Sequence, residues 1–289
     1  MSELHDPVLG WYDRHARELP WRSASASSWS VMVSEFMLQQ TPVARVLPVH
    51  EAWLERWPSP AALAADPVGD AVRMWGRLGY PRRALRLHAA AVAIVSAHGG
   101  EVPSAYADLL ALPGIGDYTA SAIASFAFGQ RHVVLDTNVR RVLGRAVGGN
   151  EFPPPAVTRG ERDVASGLLP DDAPTAATWA VAVMELGALV CTARDPRCTR
   201  CPIADQCAWL ADGKPAHDGP PRRGQAWAGT DRQCRGRIMA VLRDAEGPVH
   251  LSSVEAVWPD ATQRDRCLTS LVDDGLLVAA GPSAFSLPA

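Results

Sequence analysis

The sequence predicts a mainly helical protein with a small appended module. Apolar residues recur at helical spacing from residue 7 to residue 189, and no convincing β-strand precedes Val241. A glycine-rich turn, LPGIG, occupies residues 112–116, and four cysteines fall between Cys191 and Cys207. These features predict a helical body that contains a tight hairpin and a metal-binding loop.

Breaks in the periodicity divide this body into helices. Pro20 interrupts the first helix, Pro42 marks the start of the third, and Gly99 and Gly100 end the long helix that begins at Arg82. Helices are predicted over residues 7–18, 29–40, 43–57, 70–78, 82–98, 105–111, 118–128, 139–147, 156–169 and 175–189, with a brief helix between 58 and 68.

The C-terminal region has a different composition. Residues 213–229 are rich in proline and glycine and predict a linker. Helical patterns then cover 232–243, 251–257 and 262–274, and a hairpin is predicted over 276–279 and 284–287. We therefore expect a domain at 1–212, a linker at 213–229 and a winged-helix-like module at 230–289.

Composition excludes several classes of function. The formal net charge of −3 gives no overall basic signal for nucleic acid, and the chain has no apolar run of membrane-spanning length. The polar N-terminus does not resemble a signal peptide. Arginines cluster between Arg73 and His88 and between Arg131 and Arg145, where they could follow a phosphate backbone or form solvated helix faces.

The turn at residues 112–116 leads into the small, apolar helix that follows Tyr118. Glycine lets a backbone approach another molecule closely, and N–H groups at a helix start suit a phosphate. Asp136 follows the apolar run VVL, 18 residues beyond Tyr118. This pattern indicates a phosphate anchor with a carboxylate beside it, and an ordinary helical hairpin with a capping Asp136 is an equal alternative.

Glu35 lies in a predicted helix next to Phe36 and Met37. Burial among apolar side chains raises the pKa of a carboxyl group, which suits a general acid near neutral pH. The alternative is a glutamate that simply faces solvent.

The four clustered cysteines, Cys191, Cys198, Cys201 and Cys207, have six, two and five residues between them. Four cysteines are the usual ligands of a [4Fe–4S] cluster. Zinc sites favour two C-x2-C pairs, which this spacing lacks. We expect an iron–sulfur loop and a reducing cytoplasmic location; Cys234 and Cys267 are expected to be buried or free thiols.

Together the hairpin, the Asp136 region and the cysteine spacing resemble the helix-hairpin-helix, iron–sulfur DNA glycosylases of the endonuclease III superfamily. The segments SEFMLQQT (34–41), LPW (19–21), LGY (78–80) and MELGALVC (184–191) resemble the MutY-type adenine glycosylases within it. The resemblance covers roughly residues 8–210.

The resemblance implies a monofunctional enzyme of base excision repair that removes adenine mispaired with 8-oxoguanine, and also with guanine. Glu35 would protonate the adenine at N7, and Asp136 would stabilise the positive sugar. Its further implications are a [4Fe–4S] cofactor, a monomer acting on double-stranded DNA, no membrane, and a nucleoid-associated location. The residues implied to contact substrate or DNA are Trp21, Arg22, Gln40, Tyr80, Gly114, Gly116, Tyr118 and Asn138.

Some positions depart from the family pattern. Val181 stands where the adenine pocket often has Glu or Gln, Pro81 replaces a second tyrosine, and residues 230–289 are short for the domain that reads 8-oxoguanine. We therefore consider Tyr80, Arg82, Arg83 and the C-terminal module as lesion readers. The alternative functions are a bifunctional glycosylase/lyase for oxidised pyrimidines and a non-catalytic DNA-damage-binding protein.

Overall fold

The computed structural model describes residues 2–219 and 227–289. Met1 and residues 220–226 of the predicted linker lie outside the described residues. The chain forms two compact units. The first contains Met1–Met32, Ser104–Ala111 and Ile115–Pro221, and the second contains Val33–Pro103, Leu112–Gly114 and Arg222–Ala289. The domain boundaries expected from sequence stay a prediction.

The first unit is built around one apolar helix. Its helices are α1 (His5–His15), α7 (Tyr106–Ala111), α8 (Asp117–Phe128), α9 (Thr137–Ala146), α10 (Arg159–Gly167), α11 (Ala173–Leu189) and α12 (Ala208–Ala211). Helix α11 packs against α1, α8 and α9, and its buried Trp179, Val183 and Leu186 lie in the same core cluster as Trp11 and Val142. This helix is apolar on most faces because neighbours surround it.

The second unit contains α3 (Val43–Arg56), α4 (Pro60–Ala65), α5 (Val68–Trp75) and α6 (Arg82–His98), and α2 (Ser28–Leu38) runs into it from the first unit. Helix α6 packs against α4 and α5. Trp53, Trp57 and Trp75 are buried here, and the Trp53 ring meets the other two edge-on at centroid distances of 4.6 and 5.8 Å. Edge-to-face pairs of this kind add to the stabilisation that burial gives.

The C-terminal module has a winged-helix order of elements. Helix α13 (Asp231–Asp244) is followed by β1 (Val249–His250), α14 (Leu251–Val257), α15 (Ala261–Asp273), β2 (Val278–Ala279) and β3 (Ala284–Ser286). The strands form an antiparallel sheet in the order β1-β3-β2, with Val249 opposite Phe285. The sequence indicated the helices and the hairpin but missed β1, because two residues are too short to show an alternating pattern.

Within the second unit this module contacts α5 closely. Arg73 donates hydrogen bonds to the carbonyl oxygens of Arg243 and Ala245, and Arg243 Nε donates to Val72 O at 3.1 Å. A side chain at Gly69 would overlap the carbonyl oxygen of Pro288. The module is therefore fixed to α5 by hydrogen bonds and by close backbone packing.

Among the described residues, no helix is both long enough and apolar enough to cross a membrane.

Candidate functional site

Asp136 caps the first turn of α9. Its Oδ1 accepts a hydrogen bond from Val139 N at 2.6 Å, and its Oδ2 accepts one from Asn138 Nδ2 at 2.7 Å. Burial raises the pKa of this carboxyl group, while these hydrogen bonds and the Arg141 charge oppose the rise. The helix start also favours a negative charge. Capping and a catalytic role are thus compatible. The Val139 N–H group that Asp136 caps, together with the Asn138 amide, also holds the carboxylate in place.

A chain of hydrogen bonds runs from Asp136 to the cysteine loop. Asn138 Oδ1 accepts from Arg141 Nη2 at 2.7 Å, and Arg141 Nε donates to Cys191 O at 2.6 Å. Arg141 Nη2 also donates to Gly187 O at 2.7 Å. The Asn138 amide is therefore hydrogen-bonded at both ends within the chain, which favours a role in orienting Asp136.

Gly187 allows α11 to approach the start of α9. A Cβ at this position would lie 2.7 Å from Asn138 Cβ and 2.8 Å from Asn138 O. Real Cβ atoms do not come this close to backbone atoms, so only glycine fits here. The motif MELGALVC carries this constraint, but the sequence alone does not show which residue the glycine faces.

Glu35 lies on α2 and is 5% exposed, so it does not face solvent. Its neighbours Ser34, Phe36 and Met37 are also buried. The second unit contains Glu35, while Asp136 belongs to the first unit.

Within the second unit, Arg83 links the end of α2, just after Glu35, to the turn that carries Tyr80. Its Nη1 donates to Phe36 O at 2.7 Å and to Met37 O at 3.0 Å, and its Nη2 donates to Gly79 O and Thr41 Oγ1, each at 3.0 Å. Burial lowers the pKa of Arg83 to about 10. Arg83 was considered as a lesion reader, and its burial at 5% exposure shows instead that it ties the end of α2 to the Tyr80 turn.

Two of the residues expected to contact DNA have unusual backbone conformations. Gln40 has a φ of 55° and Tyr80 a φ of 47°, both in the left-handed region that non-glycine residues rarely adopt. Both side chains are exposed. Strained residues held by their surroundings cluster at functional sites, and the Arg83 hydrogen bonds lie between these two turns. No local sequence pattern indicates these two backbone conformations, because neither residue is a glycine.

The two glycines of the hairpin differ in backbone conformation and in the space around them. Gly114 has a φ of 80°, and a Cβ there would lie 2.6 Å from Arg86 Cβ. Gly116 has a negative φ of −106°, and among the described residues no atom lies within 4 Å of a Cβ built there. The backbone at the start of α8 is therefore open at Gly116. Tyr118 follows on α8, and its ring packs against Ala122, Val134 and Ala180.

Trp21 and Arg22 lie in a short 3₁₀ helix, Pro20–Arg22, and Trp21 is buried. Arg22 Nη2 donates to Glu185 Oε2 at 3.0 Å, and Arg17 donates to both oxygens of the same carboxylate. Burial alone would raise the pKa of the Glu185 carboxyl, but the hydrogen bonds and charges of Arg17 and Arg22 outweigh it and lower the pKa to about 2. Glu185 is not among the site residues expected from sequence, where its place in MELGALVC is its only signal.

The four cysteines of residues 191–207 line one pocket. Cys191, Cys198, Cys201 and Cys207 share it with Arg145 and Trp209, and all four thiols are free. Burial, with a smaller contribution from the three neighbouring thiols, raises the pKa of Cys201 to about 11. Burial also raises the pKa of the Cys191 thiol, so a metal that binds Cys191 and Cys201 would have to displace their protons.

A zinc ion and an iron–sulfur cluster place four cysteine ligands differently. Four thiolates around one zinc each lie about 2.3 Å from the metal and so crowd together. In a [4Fe–4S] cluster each cysteine binds a different iron, which requires a wider arrangement.

Arg145 adds positive charge to this pocket. It is 1% exposed, its Nη1 donates to Cys191 Sγ at 3.3 Å, and its guanidinium group lies 4.6 Å from the centroid of the Trp209 ring. Its Nη2 is buried and has no hydrogen-bond partner in the described part of the chain. A cluster in the pocket would supply sulfur acceptors and negative charge to this donor, so the residues present fit the group.

The arginines that could have followed a phosphate backbone are mostly used within the chain. Arg140 binds Glu161, with Nε 2.7 Å from Oε1, and Arg131 donates to the carbonyl oxygens of Leu169 and Pro170. Arg141 and Arg145 are buried. The arginine-rich segment at 131–145 therefore stabilises the first unit, and the hypothesis of a phosphate-binding face is wrong for it. Arg194, Arg197 and Arg200 of the cysteine loop are exposed.

Two known sequence families match this chain, one over most of its helices and one over the cysteine loop. Residues 33–164 match the sequence model of the HhH-GPD superfamily base excision DNA repair proteins. Residues 191–207 match the iron–sulfur binding domain of endonuclease III. The predicted fold class and the iron–sulfur loop are thereby confirmed.

Curated relatives match almost the whole chain. An adenine DNA glycosylase of Mycobacterium tuberculosis is 52% identical over 283 residues, which cover 97% of this chain and 92% of the relative. The adenine DNA glycosylase of Mycolicibacterium smegmatis is 51% identical over 281 residues, with 97% and 94% covered. The chain therefore belongs to the adenine DNA glycosylase family. Membership makes it a DNA N-glycosylase with an iron–sulfur cluster.

Solved structures show the same fold. A thermostable thymine-DNA glycosylase superposes with a TM-score of 0.63 at 22% identity, covering 71% of this chain and 94% of the other. An endonuclease III–DNA complex gives a TM-score of 0.61 at 22% identity, with 72% and 94% covered.

Proposed function

We propose that this chain is a monofunctional adenine DNA glycosylase that hydrolyses the N-glycosidic bond of adenine mispaired with 8-oxoguanine, or with guanine, in duplex DNA. The observation that carries the proposal is the identity of 52% to an adenine DNA glycosylase over 97% of the chain. The buried Glu35 and the partly buried Asp136 supply the two carboxyl groups that the reaction chemistry needs.

Glu35 is proposed as the general acid. Adenine leaves the sugar readily only as a neutral base, so a proton must reach the ring as the bond breaks. Glu35 is 5% exposed, and its helix neighbours Phe36 and Met37 are buried. The acid would give its proton to N7 as the bond from N9 to the sugar C1′ breaks. Water would then add to C1′ and release a proton, which restores the acid.

Asp136 is proposed to stabilise the positive charge that develops on the sugar. Two donors, Val139 N and Asn138 Nδ2, fix its carboxylate at the start of α9. Preorganised charge of this kind needs no rearrangement when the transition state forms. A pair of carboxyl groups, one acid and one anion, is the usual arrangement for breaking a glycosidic bond.

The remaining residues are proposed to hold DNA. Trp21 and Arg22 would line the adenine pocket, and Gln40 and Tyr80 would occupy the base stack when the adenine is flipped out. The open backbone at Gly116, with Gly114 and Tyr118 beside it, would bind a phosphate of the duplex. Asn138 would position Asp136. When bound, the [4Fe–4S] cluster shapes the loop at 191–207 and its exposed arginines.

A lyase step is not part of the proposal. A lyase of this fold forms a Schiff base between an amine and the sugar, and lysine is the usual amine. Lys214 is the only lysine in the sequence, and its Nζ lies 5.9 Å from the centroid of the Trp209 ring beside the cysteine pocket. Tyr118, which matches the lysine position of the bifunctional relatives, cannot form an imine.

A base-release assay tests the proposal. Purified protein would be incubated with duplexes that carry A·8-oxoG, A·G, T·G or thymine glycol, and the strand would be analysed with and without alkali. We expect adenine release from the first two duplexes, strand cleavage only after alkali, and little covalent trapping with borohydride. Release from T·G or thymine glycol instead would support the alternative glycosylases, and no release from any duplex would support the damage-binding alternative.

Glu35→Gln separates catalysis from binding. The amide has the same shape but cannot donate the proton, so adenine release should fall by at least about 100-fold while duplex affinity is retained. Glu55→Gln, a glutamate substitution on α3, is the matched control. Near-normal release by Glu35→Gln would contradict the general-acid assignment.

A further inference from the structure

An exposed cation–aromatic stack joins the Tyr80 turn to the start of the C-terminal module. The guanidinium carbon of Arg232 lies 5.2 Å from the Tyr80 ring centroid and 5.5 Å from the Trp227 ring centroid. On the other side, the Arg83 guanidinium lies 5.6 Å from the Tyr80 centroid. All four residues belong to the second unit, so the order Trp227, Arg232, Tyr80, Arg83 is a property of that unit.

The stack is held from both ends. At one end Arg83 is buried and hydrogen-bonded to the carbonyl oxygens of Phe36 and Gly79. At the other end Thr230 donates to Trp227 O at 2.8 Å, and the Trp227 ring lies over Gly236 of α13. The position of the Trp227 backbone is therefore set by the first turn of α13.

The stack is also accessible. Tyr80 is 45% exposed and Trp227 is 53% exposed, which are high values for large aromatic side chains. Arg232 is exposed between them. Two large aromatic rings and a guanidinium group exposed side by side form a contiguous surface, unlike the single exposed apolar side chains that are normal on proteins.

We propose that Trp227 and Arg232 extend the DNA-contacting surface from Tyr80 into the C-terminal module, and that an unstacked base of the duplex packs on them. This inference rests on the proposed function, because it takes Tyr80 to be a DNA contact. Aromatic rings and arginine planes are the surfaces on which unpaired bases stack, and the positive charge complements the DNA backbone. The module would thus contribute to mispair recognition through stacking.

Equilibrium binding of the full chain tests the proposal. All proteins would carry Glu35→Gln so that the adenine stays in place, and each would be titrated with an A·8-oxoG duplex and with the same duplex containing A·T. Trp227→Ala and Arg232→Ala should each raise the Kd for the mispair duplex roughly 5- to 100-fold, the range measured when a stacking side chain is removed. The Kd for the A·T duplex should rise less than about threefold, because its bases stay stacked.

Two further variants serve as controls. Arg237→Ala removes the same charge from α13, but Arg237 lies over the Trp258 ring instead of Tyr80, so its Kd values should stay within about twofold of the parent. Trp227→Phe keeps an aromatic ring and should recover most of the lost affinity. Thermal melting of each variant confirms that the module is folded.

Several results would overturn the proposal. A mispair Kd within about twofold of the parent for either alanine variant would show that the stack does not contact DNA. An equal loss on both duplexes would show a contact with phosphate only. Adenine release by the protein with Glu35 intact is measured separately, so failure of the proposed function would appear there and not in these titrations.

Discussion

Replacing Gly187 with alanine tests the close approach of α11 to α9. The added Cβ would lie 2.7 Å from Asn138 Cβ, 2.8 Å from Asn138 O and 3.0 Å from Asn138 C. Two of these atoms are backbone, so no side-chain rotation relieves the overlap. The start of α9 must move away, and it carries the Asn138 and Val139 donors that hold Asp136.

Two opposing effects determine how much Gly187→Ala changes the free energy of unfolding. Alanine in place of glycine inside a helix stabilises it by about 0.5–1 kcal/mol. Overpacking of a well-packed interior costs about 1–3 kcal/mol. Since the overlap at Gly187 is with backbone, we expect the upper part of that range and a net loss of about 1–2 kcal/mol in the free energy of unfolding. Displacement of a catalytic group by about 1 Å can reduce the rate about 100-fold.

Urea unfolding and single-turnover adenine release measure the two effects. Gly144→Ala on α9 is the matched control, because a Cβ there would lie 3.9 Å from its nearest neighbour, Asn150 O. This control should be stabilised by about 0.5–1 kcal/mol and keep its activity. If Gly187→Ala were as stable and as active as Gly144→Ala, the proposed packing of α11 on α9 would be refuted.

Three other substitutions follow from the structure. Cys198→Ser should lose iron, measured by metal analysis and visible absorbance, and should fold poorly because cluster binding and folding are coupled. Arg83→Met should lower the free energy of unfolding by about 3 kcal/mol, measured in urea, because it leaves the buried carbonyl oxygens of Phe36 and Gly79 without their donor. The pKa of the Glu185 carboxyl is lowered to about 2. It should therefore contribute about 3 kcal/mol to the free energy of unfolding above pH 5, and this contribution is lost as the pH falls towards 2. Glu185→Gln should make the free energy of unfolding depend less on pH in this range.

Each of these predictions has a control. Cys234→Ser changes a thiol outside the cysteine pocket, so retention of iron by Cys198→Ser as full as that by Cys234→Ser would contradict the ligand assignment. Arg82→Ala removes a surface pair with Asp274, in which Arg82 is 58% exposed, and should cost less than about 1 kcal/mol. An equal cost for Arg82→Ala and Arg83→Met would argue against the buried role of Arg83. Unchanged acid sensitivity in Glu185→Gln would refute the pKa argument.

The sequence predicted the parts of the fold that local pattern determines. Helical spacing located the helices to within a few residues, and the glycine pairs ended α6 correctly at His98. The cysteine spacing predicted the iron–sulfur loop because the ligands lie within one short segment. The sequence predicts a start at residue 156 for α10, whereas the helix begins at Arg159. The irregular segment that contains the prolines at 153–155 continues to Thr158, which caps the helix.

Contacts between distant segments could not be predicted in the same way. Arg83 and Arg86 lie one helical turn apart in the same arginine-rich run, yet Arg83 is buried and Arg86 is exposed. Composition predicts the same environment for both arginines, because charge alone does not show which side of α6 faces α2. The same holds for Glu185, whose partners Arg17 and Arg22 come from the opposite end of the sequence.

The two glycines of the hairpin show how structure separates folding from function. In the sequence, Gly114 and Gly116 are equivalent members of one turn. In the structure, Gly114 is required by its φ of 80° and by the nearby Arg86 side chain, so the fold itself explains it. Gly116 has an ordinary φ and open space where a side chain would be, so the fold does not explain it. The proposed function would use this open backbone, because a phosphate bound at the start of α8 would come within van der Waals distance of it.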